Sequence, residues 1–400
     1  MTGTLPAEMG GTLYRDAALT DARTSELTMG VSVLVRRRRI VWIRPSDGEE
    51  ELDAGVDVVD ASGCTIVPGM VDCHSHLTLP GGAHWLDHVS DPPERLLETA
   101  EDNGRLLTRA GVRWARDVGA PVGRDPATGV TRALTFGVQQ RWRARPDRPR
   151  LRVAGAFVER PDDKPAGVDA REELVALVDE QINHGAPHVK LYPESGFPQE
   201  LSWSDAELAA TVAAAHRRGV RVTAHASKRA TSAACVAAGV DCIEHGFEID
   251  DDTARAMADS SIALVSTLAV FRSWQSFSST TGIPRMTTAE GRERIEARRE
   301  AAIASVQAAQ RAGVLIAAGT DFGGGSTRAN QLAWEVECLV EAGLQPFEAL
   351  AAATWHGGVV LGEPDAGSLR QGGPADFALV HGDPLSDPTA LWRVWRVSWA

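Results

Sequence analysis

The chain has 400 residues, 43% of them hydrophobic, with a formal net charge of −13 and a pI near 5.4. That length buries one large core and a smaller satellite domain, and the negative balance argues against a nucleic-acid or anionic-membrane partner. No run approaches the roughly 18 apolar residues of a membrane span, so a small molecule or a peptide is the expected partner, with homo-oligomerisation left open.

The cysteines, Cys64, Cys73, Cys235, Cys242 and Cys338, are odd in number, lack CxxC spacing and mostly sit in apolar surroundings. They read as reduced thiols acting as small hydrophobes, which predicts a cytoplasmic protein. The opening MTGTLPAEMGGTLYRD has no charged segment followed by an apolar core, so no signal peptide is expected.

From Leu13 to Val67 short β-like runs (31–35, 40–43 and 56–59) are broken by Asp, Gly and Pro. The basic run Arg36 to Arg39 reads as a strand turn. From Val71 to about Leu361 apolar runs alternate with helical stretches, the signature of a parallel sheet built from βα units. Strands are expected to begin at Val71, Val112, Arg150, His188, Arg221, Asp241, Ile262 and Leu315. Asp169 with Glu172, and Ser204 with Glu207, have capping-box spacing, and Gly185 and Gly219 end the two helices. Two long connections, 77–93 and 267–288, read as non-helical. After Leu361 short β runs return (376–380 and 394–398). The expected architecture is an α/β chain with a (β/α)8 TIM-like barrel over residues 68–361. Residues 1–67 and 362–400 are expected to form the two parts of a small β-sandwich domain.

Each expected strand that carries a candidate ligand presents it at its C-terminal end, where barrel strands share a common mouth. His74 and His76 close the first in VPGMVDCHSH, one residue apart and so on one strand face. Lys190 closes the fourth in HVKLY, His225 the fifth in VTAHA, His245 the sixth in IEHG and Asp321 the eighth in AAGTD. A lysine ammonium has no lone pair. In a metal site it serves only after carbamylation, as a carboxylate able to bridge two ions. Tyr192, two residues past Lys190, is placed to hydrogen-bond a substrate carbonyl or carboxylate. Arg116 in WARDV is a candidate carboxylate grip, with an internal salt bridge as the alternative. Trp85 and Trp274, on the two long connections, offer flat apolar contact to substrate. His84 and His88 read as lid residues.

On DASGCTIVPGMVDCHSHL, AGVRWARDVGA, HVKLY, VRVTAHA, AGVDCIEHG, AAGTD, EAGLQPFEALAAAT and GGPADFALVHGDPL the chain resembles the amidohydrolase superfamily, in its prolidase-like and imidazolonepropionase-related branch. The resemblance implies a metal-dependent hydrolase of peptide or N-acyl amide bonds acting through a metal-bound hydroxide. It assigns His74, His76 and Asp321 to one ion, and His225 and His245 to another. Carbamylated Lys190 would bridge two zinc ions, with Asp321 also moving the proton. Two motifs depart from the branch: YPESGF stands where a Gly-Gly pair is usual, and Trp355, His356, Gly357 and Gly358 replace an Asn-Ala-Ala pattern.

The resemblance also frames the alternatives. A mononuclear deaminase would carry a glutamate where this chain has Lys228, three residues after His225, and would lack Lys190. A lactonase or phosphotriesterase would use the same paired metals, and an inactive scaffold would have lost ligands that are retained here. Within amide hydrolysis, a dipeptidase-like enzyme stands beside a specialised one that matures a ribosomally made peptide natural product.

Overall fold

The computed structural model describes residues 10–49, 51–53, 55–196 and 199–398. Residues 1–9, on which most of the signal-peptide expectation rests, lie outside them, as does Phe197 of the YPESGF loop.

Eight parallel strands start within a residue or so of their expected positions. They are Met70–Ser75, Val112–Asp117, Arg150–Val153, His188–Tyr192, Arg221–Ala226, Cys242–His245, Ala263–Ser266 and Ile316–Ala318, numbered one to eight below. They form a TIM-barrel-type α/β arrangement, but the expected closed barrel is not a continuous hydrogen-bonded ring. Strands three, two and one make one sheet; a short piece, Val158–Glu159, makes another with strands four to eight.

Both interruptions have local causes. Strand three breaks at Gly155, whose φ of +89° suits glycine and whose added Cβ would stand 2.3 Å from Gln181 Oε1. Between strands eight and one the contact is reduced to a single bridge, Ser75 with Phe322. It is reinforced by Asp321 N–H donating to the His74 carbonyl (2.9 Å) and His76 N–H donating to the Phe322 carbonyl (2.8 Å).

The terminal segments pair as expected, but in one seven-stranded sheet; the β-sandwich is not observed. Phe377–His381 lies antiparallel to Cys64–Pro68, and Val394–Ser398 adds outside it. Tyr14, Ile66, Phe377 and Leu379 pack together, with the Tyr14 and Phe377 rings edge to face at 5.1 Å. Arg36 to Arg39 forms the turn of a hairpin, with Arg37 and Arg38 at positive φ. Cys64–Pro68 leads through Gly69 directly into strand one, so this sheet fixes where the first ligand-bearing strand begins.

The Ser204 capping box forms: Glu207 N–H donates to Ser204 Oγ, and Ser204 N–H to Glu207 Oε2 at 2.7 Å. The Asp169 box does not form; Asp169 is engaged by its neighbour Arg171, and the helix Arg171–Asn183 starts from Ala170 without a side-chain cap. Glu207 reaches across instead, accepting from Ala170 N–H (2.9 Å) and Arg160 (2.5 Å). The connection 267–288 is also helical where a loop was expected, at Ala269–Ser276 and Pro284–Thr287. Its apolar spacing at Val270, Phe271 and Trp274 spans barely more than one turn before a Ser/Thr-rich run, too short for a clear period.

Glu207 therefore secures two helix starts at once. Glu207→Ala is expected to destabilise the fold by about 1–3 kcal/mol and Ser204→Ala by about 1 kcal/mol, measured by denaturant unfolding. Equal losses would show that the reach to Ala170 and Arg160 contributes nothing.

Candidate metal centre and active-site cavity

His74 and His76 leave strand one on the same side. His74 Nδ1 is fixed by Glu244 Oε2 at 2.6 Å, and His76 Nδ1 by the Gly119 carbonyl at 2.8 Å, which leaves each Nε2 as the free donor atom. Strand eight brings Asp321 to them through Gly319, where an added Cβ would lie 2.5 Å from His74 Cβ. Asp72, fully buried, ties the two strand ends by accepting from Thr320 Oγ1 (2.6 Å), Thr320 N–H and His74 N–H. Asp321 itself sits at φ +52°, turned so that its Oδ1 is 3.3 Å from His74 Nε2 and 3.4 Å from His76 Nε2. Two ligands of a tetrahedral ion bound at about 2.1 Å stand roughly 3.4 Å apart. The three candidate donor atoms all lie within 4.8 Å of one another.

His245, also at positive φ, is hydrogen-bonded through Nδ1 to Thr267 Oγ1 at 2.9 Å. Its ring lies 4.5 Å from that of His74 and 4.6 Å from that of His225. His225 Nε2 is 3.2 Å from Glu194 Oε2 yet has no hydrogen-bond partner. Lys190 is buried beside them, and its Nζ likewise has no hydrogen-bond partner. All six expected ligands line one cavity of about 650 Å³. Orphaned nitrogens in a buried set of imidazoles and carboxylates fit metal ions better than they fit a sealed core.

The electrostatics agree at the second pair of histidines. Burial holds the His245 pKa well below the usual imidazole value and lowers that of His225, which favours neutral, ligating rings. Burial also brings Lys190 down to about 8. Burial would raise Asp321, but His74 and His76 hold it well below the normal carboxylate range, so it stays an anion.

Tyr192 stacks on His225 at 4.2 Å, and burial raises its phenol to about 12, keeping it a proton donor. Trp85 and Trp274 face each other at 6.4 Å and line the cavity with Phe157 and Phe247. Arg116 does not reach this cavity. It is buried under the ligands, its guanidinium 2.5 Å from Glu244 Oε1 and 2.7 Å from the Cys73 carbonyl, and the internal salt bridge is what the fold builds. His84 and His88 pair with Asp87 and Asp91 on the first long connection.

Sequence reasoning missed Glu244, Asp72 and Glu194. Glu194 accepts from Ser227 N–H, Ser227 Oγ and Lys228 N–H, holding the segment that follows His225. The available signal was a carboxylate inside a buried apolar run, as in CIEHG and MVDCH, which requires a buried partner.

A buried histidine–carboxylate–lysine set at the C-terminal mouth of parallel strands defines a metal-dependent hydrolase of TIM-barrel type. The chain belongs to the amidohydrolase family, whose sequence profile matches residues 65–397. An uncharacterised Mycobacterium tuberculosis protein is 34% identical over 358 residues, 88% of each chain. Ochratoxinase of Aspergillus niger is 28% identical over 370 residues, 83% of this chain and 74% of its own. The crystal structure of a Xaa-Pro dipeptidase with methionine in its active site shares the fold at a TM-score of 0.81 and 22% identity, covering 97% of this chain and 98% of that one. The amidohydrolase resemblance therefore stands, and the protein is a hydrolytic enzyme acting on C–N bonds.

Thr267→Val keeps the volume beside His245 but removes its hydrogen-bond partner. It is expected to weaken metal retention by roughly 10-fold, measured by chelator competition; unchanged retention would mean that Thr267 does not orient the ring.

Proposed function

We propose that the protein is a binuclear amidohydrolase that cleaves a peptide or N-acyl amide bond. The observation that carries this reading is Lys190, a buried amine without a hydrogen-bond partner in the wall that also holds four histidines and Asp321. His74, His76 and Asp321 would hold one ion, His225 and His245 the other, with carbamylated Lys190 between them and zinc as the metal. When bound, such ions polarise a carbonyl and lower the pKa of water to near neutrality.

The chain's own residues supply the rest. Asp321, kept anionic between two imidazoles, is placed to take a proton from the attacking water and pass it to the leaving nitrogen. Tyr192, a phenol throughout the physiological range, is a hydrogen-bond donor to the substrate. Trp85 and Trp274 cover an apolar substituent. The names of the relatives, a dipeptidase and an ochratoxinase, support amide cleavage. The deaminase alternative asks for a glutamate at the place of Lys228, which pairs with Glu248 at 2.8 Å. No helix among the described residues is long and apolar enough to cross a membrane.

Metal analysis is expected to return close to two ions per chain; one ion with unmodified Lys190 would overturn the binuclear reading. Asp321→Asn is expected to lower kcat by about 100-fold or more at full metal occupancy, whereas an unchanged rate would remove its proton-transfer role.

Carbamylation needs the neutral amine. With the Lys190 pKa brought down to about 8, roughly a tenth is neutral at pH 7, against a negligible share for a free lysine. Metal-free enzyme given zinc and bicarbonate is therefore expected to regain activity faster at pH 8.5 than at pH 6.5. Recovery indifferent to bicarbonate would exclude the carbamate.

A further inference from the structure

The six ligands take up one end of the cavity, and much of the wall beyond them is hydrocarbon. From His245 it runs through Phe247, Phe271 and Trp274 to Trp85, with successive ring centres 5.3, 4.8, 5.5 and 6.4 Å apart. Trp85 is buried, while Leu86, the next residue of the one-turn helix Trp85–His88, is turned outward at 60% exposure. Val89 is 43% exposed, and Val122, on the hairpin strand Val122–Arg124 that follows strand two, is 59% exposed. All three line the same cavity as the metal ligands. Single exposed apolar side chains are ordinary, but a group of them continuous with a cavity marks a binding surface.

On this side of the mouth the backbone is largely committed. The Gly119 carbonyl bonds to His76 Nδ1, and Ala120 N–H donates to the Gly155 carbonyl. Pro121 has no N–H, and its carbonyl accepts from Leu134 N–H. The Leu86 carbonyl accepts from Val89 N–H, and Val122 pairs with Ala133 in the hairpin. The polar wall residues Glu159, Tyr192, Gln199 and Ser227 stand elsewhere, on or after strands three to five, whereas Leu86, Val89 and Val122 follow strands one and two. A peptide laid along Leu86, Val89 and Val122 would leave its amides without partners; a hydrocarbon chain has none to satisfy.

We propose that this lane receives the hydrocarbon chain of a long-chain N-acyl amide, which runs from the ligand set past Trp274 and Trp85 and out along Leu86, Val89 and Val122. The amide named here rests on the amidohydrolase reading of the ligand set; the apolar lane does not. Hydrolysis adds water across the C–N bond: the hydroxyl joins the acyl carbon, the proton goes to the leaving nitrogen, and a fatty acid and an amine are released. The space suits such a substrate. A cavity of about 650 Å³ falls within the roughly 300–1,000 Å³ that takes a ligand of drug size, so it holds more than an amide and its amine portion. The exposed end of the lane lets a chain of variable length project into solvent, which makes chain length a graded determinant rather than a cut-off.

The test compares N-acetyl-, N-hexanoyl- and N-decanoylalanine, below micelle-forming concentrations, on wild-type enzyme and on Leu86→Ser, Val122→Ser and the double variant. Turnover is read as kcat/KM; binding of decanoic acid, set against acetic acid, is read separately by calorimetry, with metal content and melting temperature as checks on folding. From acetyl to decanoyl, wild-type kcat/KM is expected to rise by at least about 10-fold, well short of the about 4-fold per methylene of complete burial because the lane stays part open. The double variant is expected to cut the decanoyl-to-acetyl ratio by at least about 5-fold with metal content and melting temperature unchanged. A wild-type rate indifferent to chain length, or a ratio that survives in the double variant, would overturn the lane. So would loss of co-sedimentation with phosphatidylcholine vesicles in the double variant at an unchanged ratio, which would make the patch a membrane contact. Decanoic acid binding that depends on Leu86 and Val122, without turnover of any amide, would uphold the lane while refuting the hydrolase reading; amide turnover without chain-length preference would do the reverse.

Discussion

A single carboxylate with no solvent exposure organises the mouth of this barrel. Glu244 lies under the ligand set, where it accepts from Arg116, His74 Nδ1 and the Thr223 hydroxyl. Burial by itself would push it towards the neutral acid, but Arg116, then Lys190 and His74, hold it well below the usual carboxylate range. A buried charge is tolerated only when its lone pairs are filled, and here the groups that fill them come from strands one, two and five. The same contacts set the His74 ring so that Nε2 faces Asp321. Removing Arg116 would leave a charge stranded in the core, so the orientation of the first ligand and the integrity of the barrel are one constraint.

The parts of this molecule legible in the sequence are those with a short-range signature. The eight strands are short apolar runs, most of them ending at or just before a residue that can ligate a metal, so position and ligand identify one another. What escapes is decided at a distance. Glu207 replaces the Asp169 cap because the next helix brings it within reach of Ala170. Arg116 looks like a substrate grip until its partner, 128 residues further along, is seen beside it. Closure of the ring and the single terminal sheet depend on how far a strand bends at one glycine and on which edge a returning chain finds.

The cavity divides into two environments. Its floor is a dense set of imidazoles and carboxylates, where burial moves His225, His245 and Lys190 towards their neutral forms and the imidazoles beside Asp321 keep it an anion. Its upper wall is aromatic, lined by Trp85, Trp274, Phe157 and Phe247. Floor residues come from strand ends, whereas Trp85 and Trp274 come from the two long connections. The division suits an enzyme in which chemistry is fixed by the scaffold and choice of substrate by its loops.

The second interruption of the parallel sheet falls where the ligands need it. A regular strand alternates its side chains and, at φ near −120°, would send Asp321 and His245 away from their neighbours' donors. Both instead adopt positive φ, an unfavourable conformation for a residue with a Cβ, and both are held there from outside: Asp321 N–H by the His74 carbonyl, His245 Nδ1 by Thr267. Strand eight accordingly stops at Ala318, and only one bridge reaches strand one beyond it. Continuity of backbone pairing is given up at that seam in return for a carboxylate 3.3 Å and 3.4 Å from two imidazoles. Asp72, bonded to Thr320 on one side and to the His74 N–H on the other, carries across the gap the connection that sheet pairing no longer supplies.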